Sequence, residues 1–166
     1  MGKSSLINAV VGRKALARTS KTPGKTRDCI VYRLDDRLHL VDLPGYGYAR
    51  VSKSERRRLE QLIVAYLDTR ELLAGVVWLL DVRRDPSAHD LDLAARLSAL
   101  EVPTLVAVTK GDKLPKGRRA SQTRAIMKSL ELPESQSIVT SAVSKEGVAE
   151  LMDAIQALAA EPRAGS

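Results

Sequence analysis

Apolar, β-branched runs alternate along this chain with stretches whose apolar residues recur every three or four positions, a pattern that predicts an α/β domain with a mostly parallel sheet. Strands are expected near Cys29 to Leu34, Leu38 to Asp42, Val76 to Asp81, Thr104 to Thr109 and Ser137 to Thr140. The link Asp35-Asp36-Arg37 is short enough to fold the first two into an antiparallel hairpin. Leu59, Leu62, Ile63, Tyr66 and Leu67 form one helical stripe, and Val148, Leu151, Met152, Ile155 and Ala159 form another. Ala94, Leu97 and Leu100 mark a helix between them, Ile126, Met127 and Leu130 a fourth, and a first helix should run from about Lys3 to Val11. The expectation is one domain over 1–160 followed by a disordered tail over 161–166.

Placed on these elements, several polar motifs acquire a shared chemistry. Gly2-Lys3-Ser4 is the end of the pattern G-x-x-x-x-G-K-[ST], in which the lysine reaches the β and γ phosphates, the hydroxyl ligates magnesium, and amides at a helix N-terminus face the anion. Gly2, Lys3, Ser4 and Ser5, opening an apolar helix, are the candidate phosphate-binding residues. Asp42-Leu43-Pro44-Gly45 follows an apolar strand, so Asp42 is suited to hold magnesium through water and the Gly45 N–H to sense a γ-phosphate. Thr109-Lys110-Gly111-Asp112 also ends a strand. A carboxylate there accepts from the N1 and N2 donors of guanine, which adenine does not offer, while the Lys110 stem packs on the base plane. Backbone amides of Thr140-Ser141-Ala142, after the last strand, are placed to meet guanine O6. In Thr22-Pro23-Gly24-Lys25-Thr26 a threonine could add a second hydroxyl to magnesium once a γ-phosphate is bound. Alone, Gly2-Lys3-Ser4 reads better as a polar terminus and Asp42-Leu43-Pro44-Gly45 as a Pro-Gly turn, whereas the strand-end placement of Thr109-Lys110-Gly111-Asp112 speaks against a mere charged loop; order along the chain favours phosphate chemistry for the set.

Charge adds a partner. The formal net charge is +7 and the pI about 9.8, with the excess gathered in three stretches: Arg13 to Arg27, Arg56-Arg57-Arg58, and Lys110 to Arg119. Such clustering favours a nucleic acid. With no Phe, one Trp and four Tyr the chain lacks platforms for stacking bases, so contact with phosphates and helical shape is the expected mode. A single cysteine, Cys29, forms no internal disulfide and lies in an apolar run that suits a core position. No membrane span, signal peptide or myristoylation pattern is legible, and the expected compartment is the cytoplasm.

Together Gly2-Lys3-Ser4-Ser5-Leu6-Ile7-Asn8, Lys21-Thr22-Pro23-Gly24-Lys25-Thr26, Val41-Asp42-Leu43-Pro44-Gly45-Tyr46-Gly47-Tyr48-Ala49 and Thr109-Lys110-Gly111-Asp112 resemble the EngB (YihA/YsxC) family of bacterial GTPases over essentially the whole chain. The resemblance implies a P-loop, Ras-like G domain that binds GTP or GDP with Mg2+ and hydrolyses GTP slowly under partner stimulation. It implies a monomer acting on the large ribosomal subunit and its RNA rather than on DNA, with a link to cell division and septation. By resemblance Ser4 and Thr26 are the magnesium ligands, joined by Asp42, and Gly24 to Asp28 form the switch loop that includes Lys25. Lys3, Thr26 and Gly45 are then the catalytic group.

Two residues depart from the family pattern: Gly111 stands where alanine is usual, and Met1 stands where valine is usual. Tyr46 follows Gly45 where Ras-like enzymes carry a water-positioning glutamine, a feature the family shares and one that predicts weak intrinsic catalysis. The first strand and the first glycine of the phosphate loop do not precede Gly2, so the chain is expected to be an incomplete version started at a GTG valine codon read as methionine. Such a loss would leave the strands ending at Asp42 and Asp81 with open edges or force them to pair, lowering stability and GDP affinity. Two other readings share parts of this sequence: a non-hydrolysing, basic RNA-binding remnant of a GTPase, and a GTPase of tRNA modification.

Overall fold

A computed structural model describes residues 2–11, 30–34, 38–43, 53–69 and 73–160. Gly24, Lys25, Thr26, Cys29, Gly45, Tyr46 and the tail 161–166 lie outside the described residues. In chain order the elements are α1 (Gly2–Val11), β1 (Ile30–Arg33), β2 (His39–Asp42), α2 (Lys53–Thr69), β3 (Val76–Asp81), α3 (Ala88–Ala99), β4 (Thr104–Thr109), α4 (Lys116–Ser129), β5 (Ser137–Val139) and α5 (Val148–Ala160). Short 3-10 turns cover Gly111–Lys113 and Glu134–Gln136. The chain divides into two compact units, residues 1–10 with 74–166 and residues 11–73.

In the larger unit β3, β4 and β5 form a parallel sheet in that order. The central strand β4 is apolar without alternation, because a parallel strand buried on both faces has no side for polar residues; Val106, Ala107 and Val108 are fully buried. Ile126 and Met127 of α4 and Leu151 of α5 complete the core with Val82. Register pairs Asp81 with Thr109, so β3 and β4 end together and the loops after β4 and β5 share the C-terminal edge where α/β sheets bind ligands. α1 anchors through Leu6, Ile7 and Val10, all buried at the spacing of one helical face.

Helix ends explain where the periodic reading and the structure differ. Ser87 starts α3 with a capping box: its hydroxyl accepts from the Asp90 amide at 3.3 Å, and the Asp90 carboxylate accepts from the Ser87 amide at 2.8 Å. Leu100, the last residue of the expected helical stripe, caps the helix from outside it and is 40% exposed. The next residue, Glu101, turns left-handed with φ 51°, and the bonds Glu101 N to Ser98 O and Val102 N to Leu97 O close a Schellman motif. α4 ends the same way, with Glu131 at φ 56° and bonds to Lys128 O and Met127 O. Glutamate at a position that favours glycine hides both stops from a sequence reading. Replacing exposed Glu131 with glycine is therefore expected to stabilise the protein by about 0.5–1 kcal/mol, raising the thermal midpoint by roughly 1–4 °C, measurable by calorimetry.

In the smaller unit β1 and β2 form the expected antiparallel hairpin, with Ile30 opposite Asp42 and Arg33 opposite His39. Ile63 and Leu67 give α2 a buried face, while Arg57 and Arg58 on it are exposed. Among the described residues no ladder joins β2 to β3. No described helix is long and apolar enough to cross a membrane.

Candidate nucleotide site

Two loops at the C-terminal edge of the three-stranded sheet are tied to each other by hydrogen bonds. The Gly111 amide donates to Thr140 O at 3.0 Å, and the Thr140 amide donates to Val108 O at 2.8 Å, prolonging the ladder by one residue. Ser141, fully buried, donates its hydroxyl to Asp112 Oδ1 at 2.6 Å and accepts the Ser144 amide at 3.1 Å. Lys113 lies 3.3 Å from Asp112 Oδ2. The hydrogen bond from Ser141 and then the Lys113 ammonium hold the Asp112 carboxyl below the usual carboxylate range, against the opposing effect of desolvation. The result is an ionised acceptor fixed in place by a neutral hydroxyl, with lone pairs left for two further donors.

Of the amides in Thr140-Ser141-Ala142, two already have protein acceptors, since Thr140 N donates to Val108 O and Ser141 N to Glu146 O at 3.0 Å. Among the described residues only the Ala142 amide has none, which narrows the expected O6 donor to that group. Thr109, 8% exposed, spends its hydroxyl on Leu80 O at 3.0 Å, so its part is to fix the end of β4 against β3. Lys110 stands left-handed at φ 62° and reaches Asp81 Oδ2 with its ammonium at 2.8 Å. Gly111 is buried, and a Cβ there would meet Val139 Cγ1 at 2.8 Å, so an alanine would require Val139 to give.

Four further residues shape this edge and were not legible as such. Asp81 is held far below the usual carboxylate range by Arg83 first and Lys110 next; like Asp42 it ends a strand, and that placement was the available signal. Arg119, which the charge pattern assigns to a basic surface, is 15% exposed: its Nε donates to Leu114 O at 2.8 Å and its Nη1 to both Glu146 oxygens at 2.9 and 2.7 Å. It thus joins the loop that carries Asp112 to the loop that carries Ala142, with Glu146 as the other half of the staple. Gly147, at φ 67°, ends the second loop where a Cβ would run into the Val139 carbonyl. A cavity of about 290 Å3 lined by Leu97, Val102, Thr104 and Gln136 lies at the opposite, N-terminal end of β4.

On the phosphate side, α1 starts at Gly2, with Lys3 half-buried and Ser5 exposed in its first turn. The amides of that turn are the donors an anion would meet. Asp42 is the last residue of β2, half-buried, within the smaller unit. Among the described residues no three His, Cys, Asp or Glu side chains group as a metal cage.

The model of the family described as "50S ribosome-binding GTPase" matches residues 1–110. A "Probable GTP-binding protein EngB" from Syntrophomonas wolfei is 48% identical over 158 residues, covering 95% of this chain and 81% of that protein. One from Streptococcus pneumoniae strain Hungary19A-6 is 48% identical over 156 residues, covering 93% and 80%. The crystal structure of a probable GTP-binding protein EngB superposes with a TM-score of 0.79 at 26% identity, covering 97% of this chain and 94% of that one. The strand-end motifs, the coupled loops around Asp112 and these likenesses converge: the chain has the P-loop GTPase fold and belongs to the EngB family of GTP-binding proteins.

Proposed function

We propose that this GTPase is a switch in assembly of the large ribosomal subunit, acting as a cytoplasmic monomer on ribosomal RNA and coupled through that role to cell division. The observation that carries the reading is the Ser141–Asp112 pair beside the Ala142 amide, a guanine-shaped set of one fixed acceptor and one available donor, in a chain whose family is described as ribosome-binding. Lys3 and the first amides of α1 would take the β and γ phosphates. Ser4, Thr26 and, through water, Asp42 would hold Mg2+, which when bound neutralises charge on the transferring phosphate. Gly45 would sense the γ-phosphate, and with Tyr46 where a water-orienting glutamine could stand, hydrolysis is slow until a partner completes the site. GTP then orders the segments around Gly24-Lys25-Thr26 and Gly45 into a ribosome-binding state that hydrolysis releases.

Co-sedimentation with large subunits tests this. The GTP-analogue form should pellet, the GDP form should stay in solution, and raising salt from about 50 to 200 mM should weaken binding on the order of 100-fold if about four phosphates are contacted. Reversing Arg57 and Arg58, or Lys116 and Arg118, should weaken binding without changing GDP affinity; all four are exposed. Arg119 is left out of that set because its charge is committed to Glu146 and Leu114. Pelleting indifferent to nucleotide, salt and these changes would exclude the switch and favour a remnant that no longer exchanges nucleotide.

A further inference from the structure

Asp81 ends β3 opposite Thr109, outside every motif assigned so far, yet its carboxylate is among the most heavily bonded groups at the site edge. Oδ1 accepts the Arg83 amide at 3.1 Å and Arg83 Nε at 2.9 Å; Oδ2 accepts Arg83 Nη2 at 2.7 Å and Lys110 Nζ at 2.8 Å. The Asp81 side chain is 15% exposed, against 38% for Lys110 and 45% for Arg83. Joining β3 to β4 does not require this pair, because a six-residue ladder and the Thr109 hydroxyl already do so, and an ion pair with a lysine this exposed adds little to stability.

We infer that Asp81 is the positioning residue for the lysine of the guanine motif: it anchors the Lys110 ammonium so that the aliphatic stem is fixed before the base arrives, raising nucleotide affinity without touching nucleotide. The inference rests on the reading of Thr109-Lys110-Gly111-Asp112 as the base site. A lysine stem free in solvent samples many rotamers, and packing it on a base would freeze them at the expense of affinity. Here both ends are held. The backbone of Lys110 is locked at φ 62° by the following Gly111–Thr140 bond, and the ammonium is held by Asp81. Arg83 binds the carboxylate in a fork through Nε and Nη2, so the anchor itself does not rotate.

Titration of the full chain with a fluorescent GDP analogue tests this. Asp81→Asn should weaken binding about three- to fivefold, the range of a half-exposed ion pair, with the thermal midpoint of the nucleotide-free protein unchanged. Lys110→Met keeps the apolar stem and removes the ammonium; it should weaken binding by a similar factor, and adding Asp81→Asn to it should change nothing further. Asp81→Glu should recover part of the loss. Additive effects in the double variant, or unaltered affinity in Asp81→Asn, overturn the inference. If Asp81→Asn does not fold, Lys110→Met still decides, since wild-type affinity there overturns it as well. Asp112→Asn run in parallel separates the two claims: if it fails to alter base preference, the base-site reading has failed, whereas a shifted preference with an additive Asp81–Lys110 cycle removes only the role of Asp81.

Discussion

Asp112→Asn is expected to exchange guanine preference for xanthine preference, lowering GDP affinity by on the order of 100-fold or more and giving XDP the affinity that GDP had. The carboxylate is ionised and held by Ser141 at 2.6 Å, and a guanine bound there would offer it the donors N1 and N2. An asparagine in the same place sets one donor against another and leaves a buried group unpaired, the situation in which hydrogen-bonded sites discriminate most strongly. Xanthine carries a carbonyl at position 2 and restores the match. Because the folded Asp112 carboxyl ionises at lower pH than a free one, its acceptor is complete above the ordinary carboxylate range and is lost only as pH falls through the lowered value. Selectivity for GDP should therefore not change between pH 6 and 8 on account of this group. Competition titrations with GDP, XDP and ADP check each point, and an Asp112→Asn protein that folds and keeps wild-type GDP affinity contradicts the assignment of the base pocket.

Gly147→Ala should have the largest effect on stability of any single methyl added to the described glycines. The residue sits at φ 67°, which costs an alanine about 1 kcal/mol, and its Cβ would overlap the carbonyl of Val139 in β5, a backbone atom that cannot swing aside. About 3 kcal/mol in total is expected, or roughly 6–12 °C in thermal midpoint. Gly117→Ala, where a Cβ meets nothing within 4 Å, is the control and should stabilise by a few tenths to about 1 kcal/mol as a helix substitution. Nucleotide binding should fall with Gly147→Ala too, because the loop it closes carries Ser141 and Ala142. A variant whose midpoint matches wild type would mean that the loop and β5 are not packed as described.

Much of the architecture was legible because of how burial works in a parallel sheet. β3 and β4 have the bounds expected from Val76 to Asp81 and Thr104 to Thr109, since runs of β-branched and apolar residues ended by a polar one leave little choice. The hairpin of β1 and β2 followed from its short link. What sequence could not show was pairing at a distance. Lys110, Lys113 and Arg119 looked like one solvated basic run, yet their partners Asp81, Asp112 and Glu146 consume their charge, two of those partners lying 29 and 27 residues away. Only Lys116 and Arg118 of that run have side chains outside any described ion pair, so the run leaves less uncommitted positive charge than composition suggested. The amides of Thr140 and Ser141 were likewise indistinguishable from that of Ala142 until the Val108 and Glu146 carbonyls were located.

Guanine recognition by the two coupled loops is the claim on which the rest depends. Its most direct test is equilibrium titration of the purified chain, with Mg2+, by fluorescent GDP and fluorescent ADP. Micromolar binding of GDP with no saturable binding of ADP is the result expected from an acceptor at Asp112 and a donor at Ala142; equal affinity for the two, or binding of neither by a folded protein, would contradict it.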